Sequence, residues 1–312
     1  MAVAQRVLGV LTPDLELANH LFGADAIRQT GDSLPQDTLD ACRSADAVLK
    51  APIGHPEFDA ADVRPEQGML RLRAELDVYA NLRPAQDGAI DLVIVRELVG
   101  GLYFGARGVR DDGTVFDTCE YHPRQVERLA RRGFELARTR GGKVTSVDKA
   151  NVLDTSRLWR RVVRDVSADY PDVEVEDMLV DNAAMQLASA PEQFDVVVTE
   201  NMFGDILSDL AAAMTGGLGL APSASLSDVG PGIFEPVHGS APDIAGRGIA
   251  NPTGMLRSTA LMLEHGLGRP DAAAALALAV ESARATTPTQ DLGGQATTAE
   301  FSDAVVGALE RS

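Results

Sequence analysis

Hydrophobic residues along the chain follow two alternating patterns. Short apolar runs, which are typical of buried strands, lie at residues 45–50, 91–96 and 195–199. Apolar positions three and four residues apart, which are typical of amphipathic helices, lie at residues 124–138, 155–169 and 205–214. Because strands and helices alternate, the pattern predicts an α/β fold with a largely parallel sheet.

Two further segments stand out by composition. Residues 272–285 are rich in alanine and predict a helix, with Asp271 as its N-cap. Residues 216–232 are rich in Gly, Pro and Ser and predict a functional loop. The run from Gly100 to Gly105 has the wrong spacing for the glycine-rich fingerprint of dinucleotide-binding folds. A nucleotide site in this chain would therefore have to be built in another way.

Charge and cysteine content limit the function classes. The 312 residues allow one large or two ordinary domains and carry a net charge of −18, which argues against a nucleic-acid partner. An anionic small substrate is not excluded, because a few arginines can dominate a pocket. Cys42 and Cys119 form neither a zinc pattern nor a disulfide framework, which is typical of cytoplasmic proteins. The sequence shows no membrane-spanning run and no signal peptide, so we predict a cytoplasmic protein without a membrane partner.

Acidic residues provide the first candidate site. Asp205 and Asp209 are four residues apart and share one face of the predicted helix, where a hard cation such as Mg²⁺ or Mn²⁺ would relieve their repulsion. A solvated acidic face is the alternative, although Met202, Phe203, Ile206 and Leu207 make the segment unusually apolar for one. Asp181 is either a further metal ligand or a helix N-cap. The residues alone leave both alternatives open.

Basic residues and one tyrosine supply further candidates. Arg73, Arg83 and Arg96 lie beside apolar stretches, and converging arginines would hold a dicarboxylate in paired hydrogen bonds. Each alone is more typical of a surface arginine, but Arg96 ends a strand, where ligands usually bind. Tyr103 and Lys149 could transfer protons if their surroundings shift their pKa values. A packed tyrosine and a salt-bridged lysine are the alternatives.

The segment of residues 235–251 combines small residues with His238 and Asp243. Small residues let the backbone approach a ligand closely, and an aspartate could bind the ribose hydroxyls of an adenosine. A turn-rich surface loop is the alternative.

Taken together, these segments resemble the isocitrate/isopropylmalate dehydrogenase family over nearly the whole chain. The runs that carry the resemblance share their order and register with the family. They begin at Arg64 (RPEQGML), Ala80 (ANLRP), Val95 (VREL), Gly100 (GGLYFG), Asp148 (DKANVL), Leu179 (LVDNAAMQL), Asn201 (NMFGDILSD), Leu220 (LAPSAS) and His238 (HGSAPDIAG).

The resemblance implies an NAD-dependent β-decarboxylating dehydrogenase that needs Mg²⁺ or Mn²⁺. It implies that Asp205 and Asp209 bind the metal, together with Asp181 from the other subunit of a homodimer. It also implies that Tyr103 protonates the enol carbon after decarboxylation and that Lys149, lent by the partner subunit, helps to remove the hydroxyl proton. The substrate carboxylates would be bound by Arg73, Arg83 and Arg96.

The resemblance also implies the cofactor and the substrate. The residues that would bind NAD are Glu235, His238, Gly239, Ser240, Ala241, Pro242, Asp243, Ile244 and Asn251. NADP-using relatives typically carry Lys and Tyr where Asp243 and Ile244 stand here, so NAD is expected. Glu66, Met69 and Leu70 match the pattern of enzymes that act on 3-isopropylmalate, whose isopropyl group suits an aliphatic wall. Tartrate, D-malate or another alkylmalate is the alternative substrate.

The sequence departs from the family at two places. The family opens with a strand and a glycine-rich turn, whereas this chain starts within the helix that follows, near residues 2–10. The resemblance thus implies that the first strand is missing and that the sheet has a gap. The connection between Pro84 and Asp91 is also shorter than in the family. These departures keep a non-catalytic regulatory homologue as an alternative.

The resemblance implies an isopropylmalate dehydrogenase-like fold that consists of two α/β domains of discontinuous sequence. Residues 1–80 with 217–312 would bind the cofactor. Residues 81–216 would supply the dimer contacts and the metal and substrate ligands. The active site is expected in the cleft between the domains, shared across a homodimer.

Overall fold

The computed structural model describes residues 1–311. Its helices are α1 (Ala2–Leu11), α2 (Ala24–Thr30), α3 (Gln36–Ser44), α4 (Pro65–Glu75), α5 (Pro123–Arg138), α6 (Asp154–Ser167), α7 (Val180–Ser189), α8 (Asn201–Met214), α9 (Thr253–Leu261), α10 (Pro270–Thr286) and α11 (Thr298–Leu309). Its strands are β1 (Ala47–Leu49), β2 (Ala80–Asp87), β3 (Ile90–Glu97), β4 (Arg107–Val109), β5 (Val115–Asp117), β6 (Lys143–Asp148), β7 (Glu174–Leu179), β8 (Val196–Thr199), β9 (Pro222–Leu226) and β10 (Gly232–Pro236). None of the helices within residues 1–311 has the length and apolar character needed to cross a bilayer.

The chain forms two compact units. Unit 1 contains residues 1–76 and 217–312, and unit 2 contains residues 77–216. The sequence placed the first boundary at residue 80, four residues later than the structure has it. The functions that the sequence assigns to the two parts stay predictions.

Unit 2 is built on a sheet with the strand order β2-β3-β8-β6-β7. β2 runs antiparallel to β3, and the other neighbours run parallel. The predicted α/β class with a largely parallel sheet is thus confirmed, and the antiparallel pair is the exception. The carboxyl ends of β3, β6 and β8 consequently lie along one edge, which brings residues 96, 148 and 199 close together.

Helices cover both faces of this sheet. Val197 and Val198 are adjacent in β8 and therefore point to opposite faces. Val197 packs in a core with Leu207 of α8. Val198 faces α5, where a methyl group on Gly133 would lie 2.4 Å from its Cγ2. The close approach on the second face explains a glycine in the middle of a helix, where it otherwise costs about 1 kcal/mol relative to alanine.

A two-residue turn at Gly88 and Ala89 joins β2 to β3, because Asp87 pairs with Ile90. Gly88 has a φ of 57°, a conformation that glycine adopts without strain. Glycine at the first of the two turn positions is typical of one common type of such a hairpin. The short connection that the sequence shows between Pro84 and Asp91 is therefore a tight hairpin, with both residues inside its strands.

Unit 1 contains the strands β1, β10 and β9. β1 pairs with β10 in parallel, and β10 pairs with β9 antiparallel. β1 stands at one end of the strand order, and its partner strand within residues 1–311 is β10. A cavity of about 700 Å³ is lined by β1 and by the segment of residues 15–22, which belongs to no helix or strand. The predicted gap in the sheet stays a prediction.

Two local predictions are wrong. Asp271 is not an N-cap: α10 begins at Pro270, its N-cap is Arg269, and Asp271 lies in its first turn. Proline at the first helical position lacks an N–H that would be unsatisfied there, and the helix starts two residues earlier than expected. The segment of residues 216–232 is not only a loop, since it contains the fully buried strand β9. The predicted helices at residues 2–10, 124–138, 155–169, 205–214 and 272–285 are confirmed.

Candidate active site

Arg96 lies at the end of β3 and is 2% exposed. Its Nε and Nη2 donate hydrogen bonds to Oδ1 of Asn201, at 3.0 and 2.7 Å. Its Nη1 donates to Oδ1 of Asp205. A buried cation is costly unless it is paired and hydrogen-bonded, and both conditions are met here. The structure therefore places the sequence's leading arginine in direct contact with one predicted metal ligand.

Arg83 lies on β2, beside β3, and contacts the same region. Its Nε donates to Oδ1 of Asn81 at 2.8 Å, and its Nη1 lies 3.4 Å from Oγ of Ser208. Its guanidinium is 3.8 Å from Asp205 and 3.6 Å from Asp209. Two arginines on adjacent strands thus face both aspartates of α8.

Asp205 and Asp209 lie one turn apart on α8, with side chains 36% and 51% exposed. Burial raises the pKa of Asp209, which the Arg83 charge opposes and the Asp205 charge reinforces. A cation bound between the two carboxylates would relieve their mutual repulsion. A purely solvated acidic face does not fit, because two arginines and a tyrosine face these carboxylates.

Both aspartates carry oxygen ligands of the kind that Mg²⁺ and Mn²⁺ prefer. They do not form a complete cage: within residues 1–311 there is no group of three or more His, Cys, Asp or Glu side chains placed to hold an ion. The carboxylate oxygens of the two aspartates suit such a metal. Two carboxylates alone do not complete its coordination, so another ligand group is required.

Tyr103 follows β3 and reaches the same aspartate. Its hydroxyl donates to Oδ2 of Asp205 at 3.1 Å, and its ring lies 5.6 Å from the Cζ of Arg96. A tyrosine in contact with a cation and a carboxylate is not merely packed in the core. Arg83, Arg96, Tyr103, Asp205 and Asp209 therefore form one cluster, which we call the aspartate cluster.

Lys149 and Asp181 form a separate pair on the same unit. The Nζ of Lys149, just after β6, lies 2.5 Å from Oδ1 of Asp181. The lysine holds the pKa of Asp181 below its usual range. Asp181 is not a helix N-cap, because α7 begins at Val180 and its N-cap is Leu179. Its carboxylate is instead paired with a predicted catalytic lysine.

Several polar residues beneath the aspartate cluster were not singled out as site residues by the sequence. Asn201, Asn81 and Ser208 hold the two arginines. Glu97 is fully buried and accepts hydrogen bonds from the N–H groups of Val99 and Gly100; burial raises its pKa to about 7. The only signal for Asn201 was its place at the head of the Asn201–Asp209 motif.

In unit 1, Arg73 of α4 and Glu235 of β10 lie together. The Nη2 of Arg73 is 3.4 Å from Oε1 of Glu235, whose other oxygen is 2.5 Å from the Nζ of Lys50. Within residues 1–311 no group accepts a hydrogen bond from the buried Nε of Arg73. Arg73 thus has donor capacity left for a ligand. Lys50, which is 7% exposed, was not predicted to belong to a site.

The residues predicted to contact the isopropyl end of the substrate differ in how deeply they are buried. Met69 is 7% exposed and belongs to the core, whereas Leu70 is half-buried and Glu66 is exposed. Leu70 is therefore the aliphatic side chain of the two with more surface for a ligand.

The predicted cofactor segment is largely exposed between residues 239 and 243. Ala241 has a φ of 47°, an uncommon conformation outside glycine. Asn251 donates to Asp291 at 2.9 Å and accepts from the N–H of Thr253 at 3.0 Å. Asp243 is exposed to solvent. Its other predicted members are His238, Gly239, Ser240, Pro242 and Ile244, the last of which is half-buried.

Comparisons with known proteins identify the family of this chain. The family model for isocitrate/isopropylmalate dehydrogenase matches residues 1–305. A 3-isopropylmalate dehydrogenase of Zymomonas mobilis is 48% identical, over 99% of this chain and 95% of the relative. One of Bacillus subtilis is 51% identical, over 86% of this chain and 79% of the relative.

Comparison with solved structures indicates the same family. An isocitrate dehydrogenase of Methylococcus capsulatus is 37% identical, with a TM-score of 0.90 over 99% of this chain and 94% of its own. A β-decarboxylating dehydrogenase of Thermococcus kodakarensis is 38% identical, with a TM-score of 0.85 over 99% of this chain and 92% of its own. This chain therefore belongs to the isocitrate/isopropylmalate dehydrogenase family.

Proposed function

We propose that this chain catalyses the NAD-dependent oxidative decarboxylation of 3-isopropylmalate to 4-methyl-2-oxopentanoate and CO₂, a step of leucine biosynthesis. The observation that carries the proposal is the convergence of Arg83, Arg96 and Tyr103 on Asp205, in a chain that is 48% identical to a protein named 3-isopropylmalate dehydrogenase. None of the predicted catalytic groups is replaced, which argues against a regulatory homologue.

The charges of the aspartate cluster suit a dicarboxylate that binds with a cation. Arg83 and Arg96 are held by neutral partners as well as by aspartates, and their paired N–H donors suit substrate carboxylates. Asp205 and Asp209 would hold Mg²⁺ or Mn²⁺. When bound, such a cation polarises the hydroxyl and, later, the carbonyl oxygen of the substrate, and it stabilises the negative charge that forms there.

The roles of the other residues follow from their contacts. Tyr103 carries a hydroxyl proton in the aspartate cluster, which supports its proposed role as the acid that protonates the product enol. Arg73 is a further proposed ligand of the substrate carboxylates, which its buried Nε without an acceptor supports. Leu70 would face the isopropyl group, and burial of that group would favour it over a more polar substituent.

We propose that the active unit is a homodimer in which Lys149 and Asp181 act in the site of the partner subunit. The incomplete metal cage of one chain supports this proposal, because Asp181 is the expected third carboxylate. Apolar side chains exposed on unit 2 support it as well. Met185 of α7 and Ile206 of α8 are each 59% exposed, and Val109 and Val115 of the β4–β5 hairpin are 69% and 73% exposed.

We propose NAD as the cofactor because Asp243 is exposed in the predicted adenosine segment. Its negative charge would bind ribose hydroxyls and repel a 2′-phosphate. Exchange of Asp243 for Lys together with Ile244 for Tyr should shift the ratio of kcat/KM for NAD and NADP toward NADP by at least about tenfold, the effect of roughly 1.4 kcal/mol. An unchanged ratio would remove this segment from cofactor selection.

NADH production with Mn²⁺ and a panel of 2-hydroxy acids tests the proposed function. We expect the highest kcat/KM with 3-isopropylmalate and little turnover with D-malate or tartrate. A preference for one of those acids would overturn the choice of substrate. If no acid yields NADH, the regulatory alternative is correct.

A further inference from the structure

We infer that Glu97 is a positioning residue that holds the loop of residues 98–103 in place and thereby keeps the hydroxyl of Tyr103 against Asp205. Glu97 is the last residue of β3, and the loop follows directly after it. The inference rests on the proposed function, because it takes Tyr103 to be the acid that protonates the product enol. The sequence assigned no role to Glu97.

The carboxylate of Glu97 turns back onto the loop that follows it. One oxygen accepts a hydrogen bond from the backbone N–H of Val99 at 3.1 Å, and the other accepts from that of Gly100 at 2.8 Å. The two donors belong to consecutive peptide groups, so a rotation of either group would break a bond. Such local bonds between a side chain and the backbone fix the conformation of a loop.

The carboxylate that makes these bonds is completely buried. Glu97 is 0% exposed, and burial raises its pKa to about 7. The two N–H bonds and the charges of Arg96 and Arg128 oppose that rise, because they favour the ionised form. Loss of either bond would leave a buried backbone N–H without its acceptor, which is unfavourable. The folded loop therefore keeps both bonds.

The chain between Glu97 and Tyr103 is short and closely packed. Gly101 has a φ of 71°, a conformation that suits glycine, and the 3-10 helix Gly101–Tyr103 begins there. A Cβ on Gly100 would lie 3.1 Å from Oε2 of Glu97 and 3.0 Å from the ring of Tyr121. The direction in which Tyr103 leaves the loop therefore depends on the peptide groups that Glu97 holds.

Gly100 also connects the loop to α8. Its carbonyl oxygen accepts from Nδ2 of Asn201 at 3.0 Å, at the start of the helix that carries Asp205. Glu97 thus holds the N–H of Gly100, and Asn201 holds its carbonyl oxygen. The Tyr103 hydroxyl donates to Oδ2 of Asp205 at 3.1 Å. Because the loop is joined to β3 on one side and to α8 on the other, this last contact depends on Glu97.

The position of Tyr103 can be observed without turnover. The chain has four tyrosines, so protein labelled with 3-fluorotyrosine gives four ¹⁹F signals, of which Tyr103→Phe and Tyr170→Phe identify two. At pH 8, where Glu97 is ionised in the wild type, we expect Glu97→Gln to shift or broaden the Tyr103 signal. The reason is that an amide offers one acceptor oxygen to two N–H donors. The signal of Tyr170, which stacks on Phe134, should stay unchanged. An unchanged Tyr103 signal would overturn the inference.

Exchange of a product proton isolates the step that Tyr103 performs. With NADH and Mg²⁺ in D₂O, the wild type should replace the C3 protons of 4-methyl-2-oxopentanoate by deuterium, since Tyr103 takes a proton from C3 in the reverse direction and returns a deuteron. Proton NMR measures the rate at saturating product. We expect Glu97→Gln to slow this exchange roughly tenfold or more, while the KM for 3-isopropylmalate changes less than about twofold.

A double-mutant cycle tests whether Glu97 acts through Tyr103. Added to Tyr103→Phe, the Glu97→Gln exchange should slow the proton exchange no further, because the group that Glu97 positions is already absent. Slowing that adds to the effect of Tyr103→Phe, or a Glu97→Gln variant that exchanges at the wild-type rate, would contradict the inference.

Two controls and a second variant complete the test. Glu192→Gln makes the same chemical change at an exposed position, and Val144→Ala removes core volume at the start of β6; both should keep the wild-type Tyr103 signal and exchange rate. Glu97→Asp replaces Glu97→Gln if the latter does not fold. It keeps both acceptor oxygens on a shorter side chain, so the loop must move for both bonds to form. We expect a shifted Tyr103 signal and slower exchange; wild-type values of both would refute the inference.

The wild-type protein separates this inference from the proposed function. If the wild type oxidises no acid of the panel and exchanges no product proton, the proposed function fails, and the ¹⁹F signal of Tyr103 alone decides the inference. If the wild type prefers another acid, the substrate proposal fails, and proton exchange is measured on the oxo acid formed from the preferred substrate.

Discussion

A methyl group on Gly204 would lie 2.6 Å from the Cγ of Arg96 and 2.7 Å from its Cβ. Real contacts of this kind are not that short, so the stem of Arg96 crosses α8 only because residue 204 has no side chain. Thr199 bounds the same space at 3.2 Å. Gly204 is therefore needed to leave space for the side chain of Arg96, and the aspartate cluster depends on that space.

Gly204→Ala should displace Arg96 or push α8 away from β3. We expect the KM for the acid to rise at least tenfold and the free energy of unfolding to fall by roughly 1–3 kcal/mol, the range typical of overpacking. Gly9→Ala in α1 is the matched control, since a Cβ there meets nothing within 4 Å. That control should keep wild-type kinetics and gain up to about 1 kcal/mol in stability. Wild-type kinetics in Gly204→Ala would contradict the steric argument.

Asp205→Asn and Asp209→Asn should each weaken cation binding and turnover. The amide keeps the size of the side chain but removes the charge that the cation needs. We expect kcat/KM to fall roughly 100-fold or more, with a higher Mn²⁺ concentration needed for half-maximal rate. Asp172→Asn removes a surface carboxylate paired with Arg138 and serves as the control. A variant of either cluster aspartate with unchanged cation dependence would exclude that residue as a ligand.

Elements with strong local patterns could be predicted from the sequence. The apolar run at residues 91–96 became β3, and the period at residues 205–214 became the last part of α8. β9 could not be predicted, because Pro222 and Ser223 resemble loop residues and only pairing with β10 makes this segment a strand. Burial by tertiary structure overrode local propensity there.

The sequence predicted the residues of the aspartate cluster as separate candidates. It did not predict how these residues lie relative to one another. The sequence offered Arg96 and Asp205 with alternatives, and the parallel pairing of β3 with β8 brings them into contact. Asn201 could not be distinguished from an ordinary first-turn residue, since its contacts lie with residues 96 and 100, about a hundred positions away. Side-chain orientation across such a separation depends on the assembled sheet.

Mixed dimers test whether Lys149 acts across subunits. Lys149→Met and Asp205→Asn homodimers should each be nearly inactive. After co-refolding, a mixed dimer would carry one intact and one doubly defective site, so an equimolar mixture should recover about a quarter of wild-type activity if exchange is random. The fraction of mixed dimers can be measured with two affinity tags. No recovery in a preparation that contains mixed dimers would show that each site is built from one chain.

Glu200 should make stability depend on pH. It is 5% exposed, and burial raises its pKa from 4.5 to about 7, with the nearby Asp148 charge adding to the effect. The folded chain therefore binds this proton more tightly than the unfolded chain, so the contribution of Glu200 to stability is present below about pH 4.5 and is lost as the pH rises through 7. We expect Glu200→Gln to be similar to the wild type in melting temperature at pH 5 and more stable at pH 8, by up to about 3 kcal/mol. Glu192→Gln, at an exposed position, should show no such trend. A difference between Glu200→Gln and the wild type that stays constant from pH 5 to pH 8 would mean that this carboxyl does not hold its proton in the folded protein.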